Sequence, residues 1–182
     1  MSDYVKNLLR FCLIILIQEL ILNKINLRWW SNPAGFPVFV PYVYPLFILL
    51  LPIETPVWLM LVLGMVTGLT VDTFNSTAGM HAMATVLIAY LRTNVLAALM
   101  PKHLSEYPGQ APNVKNMGWV PFLVYCGFLI LIHHTVFFLV ELWSVNNIAY
   151  LLLKIVASAI TSLLFIIVYL LLFTKQSVQR TS

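Results

Sequence analysis

Charge is what this chain has least of. Only 9% of its 182 residues are Asp, Glu, Lys or Arg, and only six of these are acidic, whereas about a quarter of an ordinary soluble domain is charged. A soluble globular protein is thereby excluded. The ten Lys and Arg are scattered singly, so no basic run exists to follow a phosphate backbone, and no nucleic-acid partner is expected. Cysteine is scarce too: Cys12 and Cys126 stand alone in apolar stretches, which leaves no disulfide framework, redox pair or thiolate metal site. Catalytic signatures are missing as well. The chain has no GxSG, no HExxH, no glycine-rich phosphate loop and no aspartate cluster able to hold a metal, so neither an enzyme, a cofactor nor a metal is expected.

What fills the sequence is apolar: 61% of it is hydrophobic and the mean hydropathy is +0.93. A spanning helix needs ~20 apolar residues, and the runs predict an all-α integral membrane protein, a bundle of six transmembrane helices in one polytopic domain. The predicted spans are Val5 to Leu22, Pro37 to Leu51, Pro56 to Val71, Met80 to Met100, Trp119 to Leu142 and Ile148 to Phe173. Continuous runs such as "LLFIIVYLLLF" contradict the alternating pattern of a membrane barrel. The first segment has the basic start of a secretory signal, but no small-x-small site follows and Glu19 interrupts it, which predicts a retained anchor. Pro41 and Pro45 predict a second span that is kinked, short or partly interfacial. In "IETP" the Thr55 hydroxyl is placed to cap the third helix, with Pro56 at its first turn. The stretch Pro101 to Gly118 is a polar loop, large enough to touch a partner and too small to fold alone.

Orientation follows from basic residues near span ends. With the N-terminus inside, Lys6, Arg10, Lys102, Lys115, Lys175 and Arg180 are cytoplasmic, against Lys24, Arg28 and Lys154 outside. Both termini are therefore predicted in the cytoplasm. Trp29, Trp30 and Phe36 then form an outer aromatic belt and Trp119 an inner one.

Polar residues inside an apolar chain are the candidates for function. Asp72 lies at the C-terminal end of the third helix, where the macrodipole disfavours an anion. It needs donors, and the candidates are the hydroxyls of Ser76 and Thr77, the amide of Asn75, the imidazole of His81 and the free backbone amides that start the fourth span. Gly64, Gly68 and Asp72 share one helix face at i, i+4 and i+8, which opens a groove for another helix of this chain or of a partner. His81, Thr85 and Arg92 share a face of the fourth span, with Arg92 near mid-bilayer. It must face the bundle interior or snorkel. Glu19 with Asn23, His134 with Glu141, and Lys154 with Ser158, Thr161 and Ser162 form further stripes. Glu19, Arg92, His134 and Lys154 are thus expected to line an interior polar pocket, although Glu141 and Lys154 can also pair near their shared loop.

The stretch "GLTVDTFNSTAGMHA", with Gly68, Leu69, Asp72, Gly79, His81 and Ala82, resembles the signature of the bacterial rod shape-determining MreD family: G-L-x-x-D, a glycine seven residues later, then an alanine-rich span. The match covers about 25 residues, Gly68 to Arg92, and "LIQELILNKI" is similar to the Gln- and Asn-bearing first span of that family. The resemblance implies a non-enzymatic component of the cell-wall elongation machinery in the bacterial inner membrane. Its partners would be the MreC transmembrane helix, MreB, RodA and a class B penicillin-binding transpeptidase. It also implies a fold like the S components of energy-coupling-factor transporters, and a vitamin-binding S component is the competing expectation.

Overall fold

A computed structural model describes residues 3–24, 39–141 and 148–173. The expected aromatic belt of Trp29, Trp30 and Phe36, and the charges Arg28, Lys175 and Arg180, lie outside the described residues. The described residues are helical with no strand among them. Four helices are long and apolar enough to cross a membrane and mark the chain as a membrane protein: α3 (Val57–Asn75), α4 (Met80–Leu99), α6 (Trp119–Glu141) and α7 (Ile148–Phe173). Three shorter helices accompany them: α1 (Asp3–Leu16), α2 (Leu46–Leu49) and α5 (Val114–Met117).

The four long helices pack in chain order, α3 on α4, α4 on α6 and α6 on α7, while α1 leans on the α2 segment. Their outward faces carry large apolar side chains such as Trp58, Met65, Phe128, Leu152 and Leu164. The polar side chains Gln18, Asp72, His81, Arg92, His133, His134 and Lys154 are buried within. This inverts the soluble pattern, as an apolar surrounding requires.

The first predicted span is helical to its end but changes register. After Leu16 it runs through a π turn, Ile17–Ile21, and a 3-10 turn, Leu22–Lys24. The widened turn brings Gln18 fully inside, at 0% exposure.

The second predicted span differs from expectation: it is no continuous helix. Residues 39–43 run without regular structure into the single turn of α2, yet Pro41 to Leu51 are all buried. Pro41 and Pro45 remove two amide donors and leave a backbone that a helix cannot satisfy. Irregular backbone at such depth persists only where protein groups take up its hydrogen bonds, and here they do.

The turn into α3 also differs from the predicted cap. The Thr55 hydroxyl donates back to Pro52 O at 2.7 Å, and Pro56 stands at the N-cap without a side-chain bond. The polar loop docks on this turn: Ile53 N donates to Gln110 O at 2.8 Å and Gly109 N to Glu54 Oε2 at 3.1 Å. Asn113 and Asn116 close a reciprocal capping box around α5.

Candidate functional site

The residues singled out in the sequence fall into three structural groups. The first is the α3–α4 turn. α3 ends at Ser76 in the left-handed region (φ 55°), and Gly79 (φ 80°) precedes α4 without offering a side-chain cap. Asp72 supplies the cap from one turn back. Its Oδ1 accepts from Thr77 Oγ1 at 2.5 Å and from His81 N at 3.1 Å, and its Oδ2 accepts from Ala82 N at 3.0 Å. The carboxylate therefore lies on the positive end of α4, which offsets its poor position at the end of α3. Of the expected donors, Thr77 and the backbone amides serve. The Asn75 amide instead donates to Val71 O at 2.9 Å, and the His81 imidazole turns to Tyr44.

These bonds set an expected ranking. Asp72→Asn keeps one acceptor but places an amide NH2 against Ala82 N–H, a cost of about 1–2 kcal/mol, whereas Asp72→Leu strands every donor and costs ~3 kcal/mol or more. Thermal unfolding in detergent should rank wild type above Asn and Asn above Leu. Equal midpoints for wild type and Leu would remove the capping role.

The second group is the glycine groove, which is filled from within. A Cβ on Gly68 would lie 2.2 Å from Ala82 Cα and 2.5 Å from its backbone nitrogen, and one on Gly64 would lie 3.3 Å from Ala89 Cβ. Of the two occupants that the spacing allows, a helix of this chain fills it: α4 lies in the groove, because small residues on both helices let the two backbones touch, and no room is left there for a partner helix.

The third group clamps the irregular segment. Gln18 Oε1 accepts from Val43 N at 2.8 Å and Tyr44 N at 3.3 Å, and its Nε2 donates to Pro41 O at 3.2 Å. Val40 N donates to Ser158 Oγ at 3.0 Å and Tyr42 N to Ser162 Oγ at 2.8 Å. His134 lies behind Ser162: its Nδ1 meets Ile130 O at 2.8 Å and its Nε2 meets Ser162 Oγ at 3.1 Å. Since a carbonyl only accepts, the neutral ring carries its proton on Nδ1 and takes the Ser162 hydroxyl proton at Nε2. Tyr44 OH bridges His81 Nδ1 at 2.9 Å and His133 Nε2 at 2.5 Å.

At the far end of the segment, Arg92 faces the interior and does not snorkel. Its guanidinium donates to Tyr125 OH at 3.1 Å and to Met60 Sδ at 3.1 Å, to Leu51 O, and to Pro52 O at 3.4 Å. Tyr125 OH in turn donates to Leu49 O at 2.9 Å. A cation thus covers the carbonyl end of α2, where helix and turn leave acceptors open.

The expected pocket of Glu19, Arg92, His134 and Lys154 is therefore corrected. No hydrogen bond joins any two of them among the described residues. Glu19 accepts from Asn23 Nδ2 at 2.6 Å, and Asn23 donates on to Asn75 Oδ1 at 3.1 Å, tying the 3-10 turn Leu22–Lys24 to the end of α3. Lys154 pairs with Glu141 at 2.6 Å and lies 4.4 Å from the centre of the Phe138 ring. Each polar group finds its own local partner, as burial in an apolar bundle demands.

Sequence patterns alone passed over Gln18, Tyr44 and Tyr125. Gln18 had a signal, as an amide in an apolar run. The tyrosines had none, since a tyrosine in a span is equally at home at an interface. No group of three or more His, Cys, Asp or Glu able to hold a metal occurs among the described residues. Compared with known protein families, curated proteins and solved structures, the chain matches none of them.

Proposed function

We propose that this chain is a non-enzymatic membrane scaffold of the bacterial cell-wall elongation complex, of the MreD type, which binds the transmembrane helix of MreC in the inner membrane. One observation favours a scaffold over a vitamin-binding S component. The interior groups a small ligand would use, Gln18, Arg92, Tyr125, Ser158 and Ser162, are engaged by backbone of the chain's own segment 40–52 or by one another. A bundle filled by itself works through its outside. The Gly68 to Ala82 stretch that carries the family resemblance supports the same reading, since its Gly68 and Asp72 shape the α3–α4 pair.

In this proposal α1 with its π and 3-10 continuation makes a fifth crossing, and the buried segment takes the place of a sixth. Both termini are cytoplasmic. MreC docks on an outward apolar helix face, since the glycine groove is closed, and MreB, RodA and a class B penicillin-binding transpeptidase assemble around that pair. Pull-down of the tagged full chain from native membranes should recover MreC, and depletion in a rod-shaped host should give round or swollen cells. Normal rods without MreC association, or a vitamin retained in stoichiometric amount by the purified chain, would overturn it.

A further inference from the structure

At one end of the bundle α1 and α3 stand apart, leaving a lateral groove of about 870 Å³. That size is typical of sites enclosing a small ligand. Leu8 and Phe11 of α1 form one wall, Leu59, Leu63 and Val66 of α3 the other, and Phe47 and Leu51 the floor. Its polar members, Asn7, Glu54 and Thr55, gather at the end where α3 begins, apart from Thr67 at the deep end. The Thr67 hydroxyl already donates to Leu63 O at 2.6 Å. The groove is thus wet at one end and oily along its length.

Its depth points to the occupant. From Pro56 to Thr67 the α3 wall rises eleven residues, ~16 Å at 1.5 Å each, against ~15 Å for half a bilayer's hydrocarbon. About 12 Å further along α3, the Glu19, Asn23 and Asn75 contacts tie the turns that follow α1 to the end of α3. A spanning helix needs ~30 Å of wall, whereas the lining ends at Thr67, about half of that. One acyl chain from the adjacent leaflet fits the open half. Lys6 and Arg10 stand one turn apart on α1, next in the chain to the lining residues Asn7 and Phe11. Arg10 is held by bonds to Leu50 O at 2.7 Å and Asn7 Oδ1 at 3.3 Å. Glu54 accepts from Gly109 N in the docked loop. The helix beside the opening is therefore basic, which favours a phosphate head without an added positive charge.

We infer that the α1–α3 groove holds an anionic phospholipid, its chain against Leu63 and Phe47 and its phosphate beside Lys6 and Arg10. This site is independent of the partner proposed above and stands or falls without it.

The full chain in mixed micelles would be offered dioleoylphosphatidylglycerol or dioleoylphosphatidylcholine separately and examined by native mass spectrometry. Wild type should retain a single phosphatidylglycerol. The double variant Leu8→Trp, Val66→Trp fills the groove from two half-exposed positions and should lower retention about tenfold, while Ile160→Trp on the outer face of α7 should retain lipid as wild type does. Lys6→Gln should narrow the preference for phosphatidylglycerol. Equal retention of both lipids would overturn the headgroup assignment, and equal retention by wild type and the double variant would overturn the groove. Should the double variant fail to fold, photo-crosslinking of a diazirine-bearing phosphatidylglycerol to wild type decides. Adducts concentrated on Leu8, Phe11 and Leu63 support the site, and adducts spread over α6 and α7 refute it.

Discussion

Gly68→Ala is expected to lower the stability of the bundle by ~3 kcal/mol or more, at the upper end of the range for overpacked sites. The added Cβ would lie 2.2 Å from Ala82 Cα and 2.7 Å from the His81 carbonyl carbon. These are backbone atoms, so no rotamer change relieves the contact and α3 must move away from α4. The movement falls where it does most harm, because Asp72 lies one turn further along the same face and caps α4 through His81 N and Ala82 N. One methyl group therefore opens the seam and draws out the cap. Gly64→Ala is the internal control. Its Cβ meets Ala89 Cβ and Thr85 O at 3.3 Å, a contact relieved by a few tenths of an ångström, and alanine recovers about 0.8–1 kcal/mol of helix propensity. The expected change is close to zero. Thermal unfolding of the two variants side by side checks this: a Gly68→Ala midpoint as high as that of Gly64→Ala would refute the close approach.

Much of this seam was legible in the sequence. Two glycines and an aspartate on one helix face can be read from spacing, and an anion at a helix end states its need for donors. The choice among donors was not legible. Thr77, Asn75 and His81 all lay within reach, and the selection followed from Tyr44, which draws the His81 ring away at 2.9 Å and leaves its backbone amide to Asp72. The four long helices were legible for the same reason that the second span was misjudged. Hydropathy reports that a stretch is buried and says nothing of its backbone, and Pro41 to Leu51 is as buried as any helix here. Its prolines warned of a break. The compensation is spread over Gln18, Arg92, Tyr125, Ser158 and Ser162, positions up to 120 residues from the backbone groups they satisfy, and no local pattern records it. The same dispersal dissolved the expected pocket: stripes on separate helices gave the right interior faces, while each side chain found a partner of its own.

Arg92 gives the second large effect, and here insertion and folding pull in opposite directions. Removing an arginine from mid-helix favours entry into the bilayer by at least ~2.5 kcal/mol on insertion scales, so Arg92→Met should reach the membrane at least as well as wild type. Folding should suffer. Leu51 O and Pro52 O lose their donor and Tyr125 loses the guanidinium beside its hydroxyl, and bonds to a charged donor are worth about 1.5–3 kcal/mol each. The released carbonyls directly follow the C-cap of α2, Leu50, so the end of the buried segment loosens and the loop docked on it through Ile53 and Gln110 loosens too. Arg92→Lys keeps the charge without the fork. A single ammonium cannot reach Met60, Tyr125 and Leu51 together, so lysine should rescue little of the loss. Alkaline extraction should find both variants fully membrane-embedded, while protease cleavage between Pro101 and Gly118 should quicken in each. Unchanged cleavage in Arg92→Met would mean that the segment is held by Gln18, Ser158 and Ser162 alone, and full rescue by lysine would mean that the positive charge, rather than the geometry of the guanidinium, secures the end of α2.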